Sequence, residues 1–449
     1  MGLLPLTYRR PMYVNDSASE SSSDVSDSGD EKHNGNSLSL RSGKAGTIPG
    51  IPESLTFDKI INGGTCPPCT VRDFMNYLIY VEFSAENLQF FLWHREYQNR
   101  FREAKTSDLA LAPEWTEAME AEVLQRLSKE KSQRMHKKPG QEIFKGTYFE
   151  KKGPAAAIIE ESNAANPFST PPRTPNDQES VYTGSHGAST AASYRSQASD
   201  AFTAAGAKQP FSIQPFREEM DRVIATYIME GAPRQLNLSA KDRDATLHAL
   251  AFTTHPSAYR LAVKVIENSL RRQAHPNFIR WSICNGNPAR VFFARGLGIG
   301  LIIAAFVVAI LVTISRAGRG WRALAAIGWV LGISTLVAAY KGMCVVLHGM
   351  HHRHVRPWEL FVDEENENDL KKTSFESFGS ANSFESEPWV IKYKKRNVVR
   401  KVFDREVWIE EPALRTIQDT IFVQAMLCAL LVGGVFAAIF VAIPSNGFF

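Results

Sequence analysis

The chain has 449 residues, 44% of them hydrophobic and 22% charged, with a formal net charge of +4. So small a charge gives no concentrated basic face and no case for nucleic-acid binding, and five cysteines are too few and too scattered for a disulfide scaffold. Three long apolar runs fall in the last 160 residues and almost none in Glu20–Gly50 or Lys151–Gln209, which excludes a single soluble globule, while plentiful Phe (27), Trp (8) and Tyr (12) exclude full disorder.

Met1–Val14 carries Arg9 and Arg10 but no apolar run, so no cleaved signal peptide is expected. Asn15–Glu31 is rich in Ser and Asp and cannot bury enough surface to offset chain entropy, so residues 1–52 are expected to be a disordered tail. From Leu55 to Phe101 apolar residues recur at helical spacing: Phe74, Leu78, Val81 and Ala85, then Leu88, Phe91 and Leu92. Thr70 with Asp73 can cap the first of these helices, and Ser84 with Asn87 the second. Glu114–Met135 predicts a charged helix with Trp115, Met119, Leu124 and Leu127 on one side. Lys151–Gln209 is Ala, Ser, Thr, Asn and Pro without periodicity, and a disordered insertion is expected there. It holds Thr170-Pro171 and Thr174-Pro175, which suit proline-directed kinases, and Asn166-Pro167-Phe168, which some endocytic adaptors bind; such short patterns recur by chance, and an inert linker is the preferred reading. Helical signals return at Pro215–Met229, with Val223, Ile224, Tyr227 and Ile228 as the buried stripe and Gly231-Ala232-Pro233 as the stop. Ala240–Ala251, Ser257–Arg271 and Pro276–Cys284 complete a helical bundle interrupted by a long insertion.

Gly296–Ile314 is 19 residues without a charge, which at 1.5 Å per residue spans about 28 Å, close to the hydrocarbon core of a bilayer. Ala323–Tyr340 gives 18 uncharged residues, with Trp321 and Tyr340 placed as interfacial anchors, and Thr420–Ile443 gives 24. Three membrane spans are therefore expected. Arg280, Arg290 and Arg295 precede the first span, His348–Arg356 follows the second, and Arg400, Lys401, Arg405 and Arg415 precede the third. By the positive-inside rule the helical domain and the loop 341–419 face the cytosol, against the contrary weight of Arg316, Arg319 and Arg322. Gly328-x-x-x-Gly332 and Gly433-Gly434 allow close backbone approach, either among these spans or with a second copy or partner helix.

The most informative string is Glu82-Phe83-Ser84-Ala85-Glu86-Asn87-Leu88-Gln89-Phe90. It ends one helix, turns at Ser84 and starts another, placing Glu86 and Asn87 on an expected exposed helix start. Asn87 as a simple cap is the plainer reading. This string resembles the RGS domain, the all-α module that binds Gα subunits of heterotrimeric G proteins, with Ala85 as a variation on the family's pattern. Ala232-Pro233-Arg234-Gln235-Leu236-Asn237-Leu238 resembles the loop before that family's next helix. The resemblance covers residues 53–284 apart from an insertion near 102–210, disordered at about 151–209, and precedes spans at 296–314, 323–340 and 420–443. It implies a plasma-membrane regulator that binds Gα through Glu86, Asn87 and Asn237 and speeds its GTP hydrolysis without a nucleophile, general base or cofactor of its own, by holding the GTPase's mobile segments in their transition-state arrangement. The family's late Asp and Arg are replaced: aligned on Phe278, Gln273 and Asn277 stand there.

More narrowly, the chain resembles fungal membrane proteins that join a split RGS domain to C-terminal spans, some of which serve in bud-site selection and cell polarity. Cys66–Phe74, Glu387–Tyr393 and Phe403–Pro412 carry that likeness. It implies a landmark or scaffold that docks partners such as a second polarity membrane protein or another copy of itself. Cys66-x-x-Cys69 lacks a second ligand pair for zinc and a βαβ context for redox work, and reads as a turn before a helix. His348, His351, His352 and His354 could bind a metal at helical spacing, but the preferred reading is a patch, with Arg353 and Arg356, facing anionic lipid, and no metal site is expected. The loop 341–419 repeats Ser-Phe-Glu-Ser at 374 and 383, and its part Glu387–Glu411 is expected to pack on the membrane face or the helical domain. No P-loop, Ser-His-Asp set or carboxylate pair marks an autonomous enzyme, and no buried ionisable relay marks a transporter.

Overall fold

The computed structural model describes residues 11, 13–14, 50–105, 109–137, 191–361 and 388–444. The kinase and adaptor motifs near 166–175, the Ser-Phe-Glu-Ser repeats and most of the N-terminal tail lie outside the described residues. The described chain is mostly helical. Its one sheet among the described residues is a two-stranded antiparallel ribbon, His352–His354 with Glu406–Trp408, in which Arg353 pairs with Val407.

The chain divides into two units, residues 1–95 with 263–449 and residues 96–262. In the first unit, Thr70 and Asp73 form the predicted capping box: the Asp73 amide donates to Thr70 Oγ1 at 3.2 Å and the Thr70 amide to Asp73 Oδ2 at 3.0 Å. The helix Val71–Tyr77 that they start buries Phe74, which meets Phe57 at 6.3 Å and Phe278 at 5.0 Å between ring centroids. Leu55, Ile60, Leu78, Leu88, Ile279 and Ile283 are fully buried with them. At about 2 kcal/mol per fully buried large apolar side chain, this cluster is a main source of the unit's stability.

His275 lies in this core, 3% exposed, with Nε2 2.8 Å from the Leu55 carbonyl. Burial pushes its pKa from 6.5 down to about 4. The unfolded chain takes up the proton first, so stability is complete above pH 6.5 and falls, by on the order of 3 kcal/mol, as pH drops from 6.5 toward 4. Amide exchange in the helices Phe57–Ile61 and His275–Ile283 should therefore quicken between pH 7 and pH 5 once intrinsic exchange is corrected for. His275→Gln should flatten that dependence, and an unchanged slope would remove His275 as its source.

Two parts of the N-terminal stretch expected as a tail are built in. Ile51 is 6% exposed, and Val14 exchanges two hydrogen bonds with the Asn277 side chain, its amide donating at 2.9 Å and its carbonyl accepting at 3.0 Å. Arg280 donates to the Pro11 carbonyl at 2.8 Å. Polar side chains on the helix His275–Ile283 thus supply pairing that composition could not announce.

Among the described residues, the first unit also holds three helices long and apolar enough to cross a membrane, Pro288–Ile314, Arg319–Tyr340 and Pro412–Ala442. Each runs beyond the uncharged stretch that predicted it. Gly332 approaches Gly298 so closely that a Cβ on Gly332 would stand 2.9 Å from the Gly298 carbonyl oxygen, and one on Gly328 would stand 2.8 Å from Ala305 Cβ. A Cβ on Gly433 would meet Val330 Cγ2 at 3.0 Å, whereas one on Gly434 would meet nothing within 4 Å. The glycine motif of the second span is thus used within the chain. Trp329, fully buried, packs on Phe306, Phe436 and Phe440. Arg322 is also fully buried, donating to the carbonyls of Phe440 and Ile443 at the end of the third span and of Thr313 near the end of the first.

The spans are fastened to the helical part of the same unit. The amides of Glu410 and Glu411 donate to the Pro67 carbonyl at 3.1 and 3.0 Å, and the Cys66 amide donates to the Glu411 carboxylate at 2.8 Å. That carboxylate also caps the third span by accepting from the Ala413 amide. Gln418 donates to the Ile283 carbonyl, and Asn285 pairs with the Cys344 backbone. Asn287 donates to the Lys401 carbonyl and Phe403 meets Phe293, so the described part of Glu387–Glu411 packs against both the start of the first span and the Cys66 turn.

In the second unit, Trp115 is buried against Phe252 and its amide donates to Ser257 Oγ at 2.7 Å, while Met119, Leu124 and Leu127 of the helix Glu117–Lys137 are half-buried as predicted. Arg217 is buried and donates to Gln214 and the Leu250 carbonyl; Phe216, in the left-handed region at φ 59°, starts its helix two residues later than Pro215 would have. Residues 191–209 correct the expected disorder. Ala191–Ala204 is a helix that buries Ala198, Ala201 and Phe202 against the segment Arg217–Ile228. Small residues on one stripe permit that close packing, although they look like low complexity in the sequence.

Candidate functional site

The Glu82–Phe90 string sits on a chain reversal. Leu78–Glu82 widens into a π turn, Phe83 takes the left-handed region at φ 56°, and the Ser84 amide donates back to the Leu78 carbonyl at 3.0 Å. A non-glycine residue in that region is uncommon and costs backbone energy. Here it holds the Phe83 ring outward, 59% exposed beside the exposed Val81. Periodicity alone did not reveal this exposed ring on a left-handed residue.

The helix Ala85–Glu103 starts at once, and its first turns are buried around most of their circumference. Ala85, Leu88, Gln89 and Phe90 are fully buried, and Phe91 and His94 nearly so. This corrects the exposure expected of Asn87, which is 5% exposed because it shares a face with Phe90 and His94. Its amide donates to the Ser84 carbonyl at 3.3 Å, in place of the expected reciprocal side-chain cap, and its Oδ1 has no hydrogen-bond partner among the described residues. Gln89 is likewise buried with both amide atoms unpartnered among those residues. Glu86, half-buried in the first turn, stands where a carboxylate complements the positive helix end.

In the second unit, Asn237 is exposed. Its loop is pinned on both sides: the Arg234 amide donates to the Thr226 carbonyl at 3.1 Å, the Leu236 amide to the Tyr227 carbonyl at 2.9 Å, and Ser239 caps the helix Ala240–Phe252 by accepting from the Asp242 amide. A polar side chain on an anchored loop is presented to solvent at low entropic cost.

Of the two positions that depart from the resembled family, Gln273 and Asn277, the second has another duty, and so does nearby Arg271. Asn277 is buried and holds Val14. Arg271 forks onto Asp58 at 2.8 and 2.6 Å, bonds Glu267 at 2.6 Å and covers the Phe57 ring. Its guanidinium holds the Asp58 carboxyl below the usual carboxylate range.

The histidine and arginine group after the second span does not form a lipid-facing patch. Arg353 is buried on Glu359, and Arg356 lies 3.5 Å over the Trp281 ring, which stacks on Trp358 and through it on Tyr80. Burial pushes the Arg356 pKa down to about 10. His354 is buried with Arg290 at 3.0 Å, and Arg290 pairs with Glu406 at 2.6 Å. Pairing within the protein outcompetes the lipid surface because each cation already has a carboxylate or aromatic face. His352 bonds the Met350 carbonyl, whereas His348 and His351 turn toward Asp419 of the third span. Cys66 and Cys69 are free thiols, and burial pushes the Cys69 thiol up, which leaves it unreactive in a turn that docks Glu411.

Comparison with known protein families, with curated proteins and with solved structures finds no match for this chain.

Proposed function

We propose that this chain is a membrane-anchored regulator of heterotrimeric G-protein signalling that binds Gα through an RGS-like helical domain and hastens its GTP hydrolysis. The observation that carries the reading is the Glu82–Leu88 reversal, in which a left-handed Phe83 keeps an apolar ring exposed immediately before Glu86. Asn237, exposed on its pinned loop, is the second proposed contact. An amide suits an apposed GTPase because it both donates and accepts. Asn87, buried, instead supports the start of its helix from inside.

A second reading, a polarity landmark or scaffold that docks partners without activating a GTPase, draws support from the same burial of Asn87 and from the internal employment of Asn277. Both readings place the molecule at a plasma membrane with its helical part in the cytosol.

The test is capture of Gα, loaded with GDP and aluminium fluoride, by the full chain in lipid nanodiscs, with single-turnover GTP hydrolysis measured alongside. Glu86→Ala, Phe83→Ala and Asn237→Ala should each weaken capture about tenfold, a cost of about 1.4 kcal/mol typical of contact residues. Capture without faster hydrolysis selects the scaffold reading. No capture by the parent chain ends both Gα roles.

A further inference from the structure

His348, His351 and Asp419 bring their ligand atoms within 4.8 Å of one another. His348 lies in the short helix Val345–Gly349 that follows the second span, His351 lies three residues on, and Asp419 stands on the third span immediately before its uncharged stretch. His348 Nε2 lies 3.4 Å from Asp419 Oδ1, and His351 Nδ1 lies 3.9 Å from the same oxygen. These separations are too long for good hydrogen bonds, whose heavy atoms approach to about 2.7–3.2 Å. The first matches the edge of a coordination tetrahedron, about 3.3–3.4 Å for ligands 2.0–2.1 Å from zinc, and the second is longer than that edge, so the His351 ring must close in on binding.

Two further observations bear on the site. His348 is 5% exposed and its ring is seated on Phe422 at 4.7 Å, with Nε2 toward Asp419. His351 adopts the left-handed region at φ 52°, with its amide donating to the His348 carbonyl and its own carbonyl accepting from the Ile409 amide. A strained residue fastened at both backbone groups turns its ring toward the carboxylate, an arrangement that helical spacing alone would not produce.

We propose that His348, His351 and Asp419 bind a divalent transition ion of the zinc class, which staples the segment after the second span to the third span. Two imidazoles and one carboxylate are the borderline donor set that zinc accepts, and they leave a fourth position for water or another donor. The ion would also neutralise a carboxylate at the edge of the membrane-spanning stretch, where an unpaired charge is costly.

The test uses the full chain in lipid nanodiscs, stripped with a chelator and titrated with zinc against a chromogenic competitor. The expected result is one zinc per chain, a rise in thermal unfolding midpoint on zinc addition, and no rise with magnesium. His348→Ala and Asp419→Asn should each weaken binding at least tenfold and abolish the rise, while His352→Ala should leave both intact. If Asp419→Asn does not fold, His351→Gln, at a half-buried position, gives the same reading. Failure to bind one zinc tightly, binding unchanged in the three ligand variants, or an equal rise with magnesium would overturn the proposal.

Discussion

Gly332→Leu should separate the first two spans and lower the stability of the packed segments by about 3 kcal/mol, the upper range for overpacking a filled site. Even the first added carbon would stand 2.7 Å from Ile302 Cγ1, 2.9 Å from the Gly298 carbonyl oxygen and 3.1 Å from the Ile302 amide nitrogen. Two of those three atoms are backbone and cannot swing aside, so the helices must part. Between lipid-bathed helices there is little hydrophobic force to restore them, because association rests on close van der Waals fit. Gly434→Leu is the control: a Cβ there meets nothing within 4 Å, and stability should stay within about 0.5 kcal/mol. Denaturation by sodium dodecyl sulfate titration in mixed micelles, followed by intrinsic tryptophan emission, compares the two. Equal midpoints for Gly332→Leu and the parent would refute the close approach.

Arg322→Met should cost about 2–4 kcal/mol, since hydrogen bonds from a charged donor contribute about 1.5–3 kcal/mol each and the membrane setting returns less than their sum. The guanidinium reaches Phe440, Ile443 and Thr313, three carbonyls near the C-terminal ends of two helices, where backbone acceptors lack helical partners. A cation there also answers the negative end of each helix dipole. Methionine keeps much of the bulk and loses every donor. Arg319→Met, at an exposed position, should change stability by less than about 0.5 kcal/mol. The same micelle titration reads both, and parity between the two variants would deny Arg322 its role. Because packing accounts for Arg322, it weighs less against the charge asymmetry from which a cytosolic helical part is proposed.

The spans were legible because an uncharged run of about 20 apolar residues matches the thickness of a bilayer and is rare in water-soluble folds. The Thr70–Asp73 box was legible because capping is local and its residues are specific. What escaped depended on partners distant in sequence. The helix Ala191–Ala204 has Tyr194, Ala198, Ala201 and Phe202 at helical spacing, but alanines carry so weak a periodic signal that the stretch passed for linker. The π turn at Leu270–Ala274 runs directly into the helix His275–Ile283 and shifts its phase, while the break at Phe83 and Ser84 after the π turn Leu78–Glu82 restarts the helix, so the spacing before it does not set which side of residues 85–94 faces inward. That is why Asn87, exposed on a simple reading, is buried. Nothing in the spacing of His348, His351, His352 and His354 says which two turn toward Asp419, which is supplied 65 or more positions later in the chain.

The mooring of Glu411 and Glu410 on the Cys66–Cys69 turn has a mechanical consequence. A reader head held by a slack leash explores a hemisphere; one bolted at several points keeps a constant heading. Phe83 and Glu86 share the first unit with the bolts, so their bearing relative to the bilayer normal is set when the third helix inserts. On the proposed Gα reading, a partner held in the same leaflet would need only sideways diffusion and a spin about one axis to dock, a search in two dimensions rather than three.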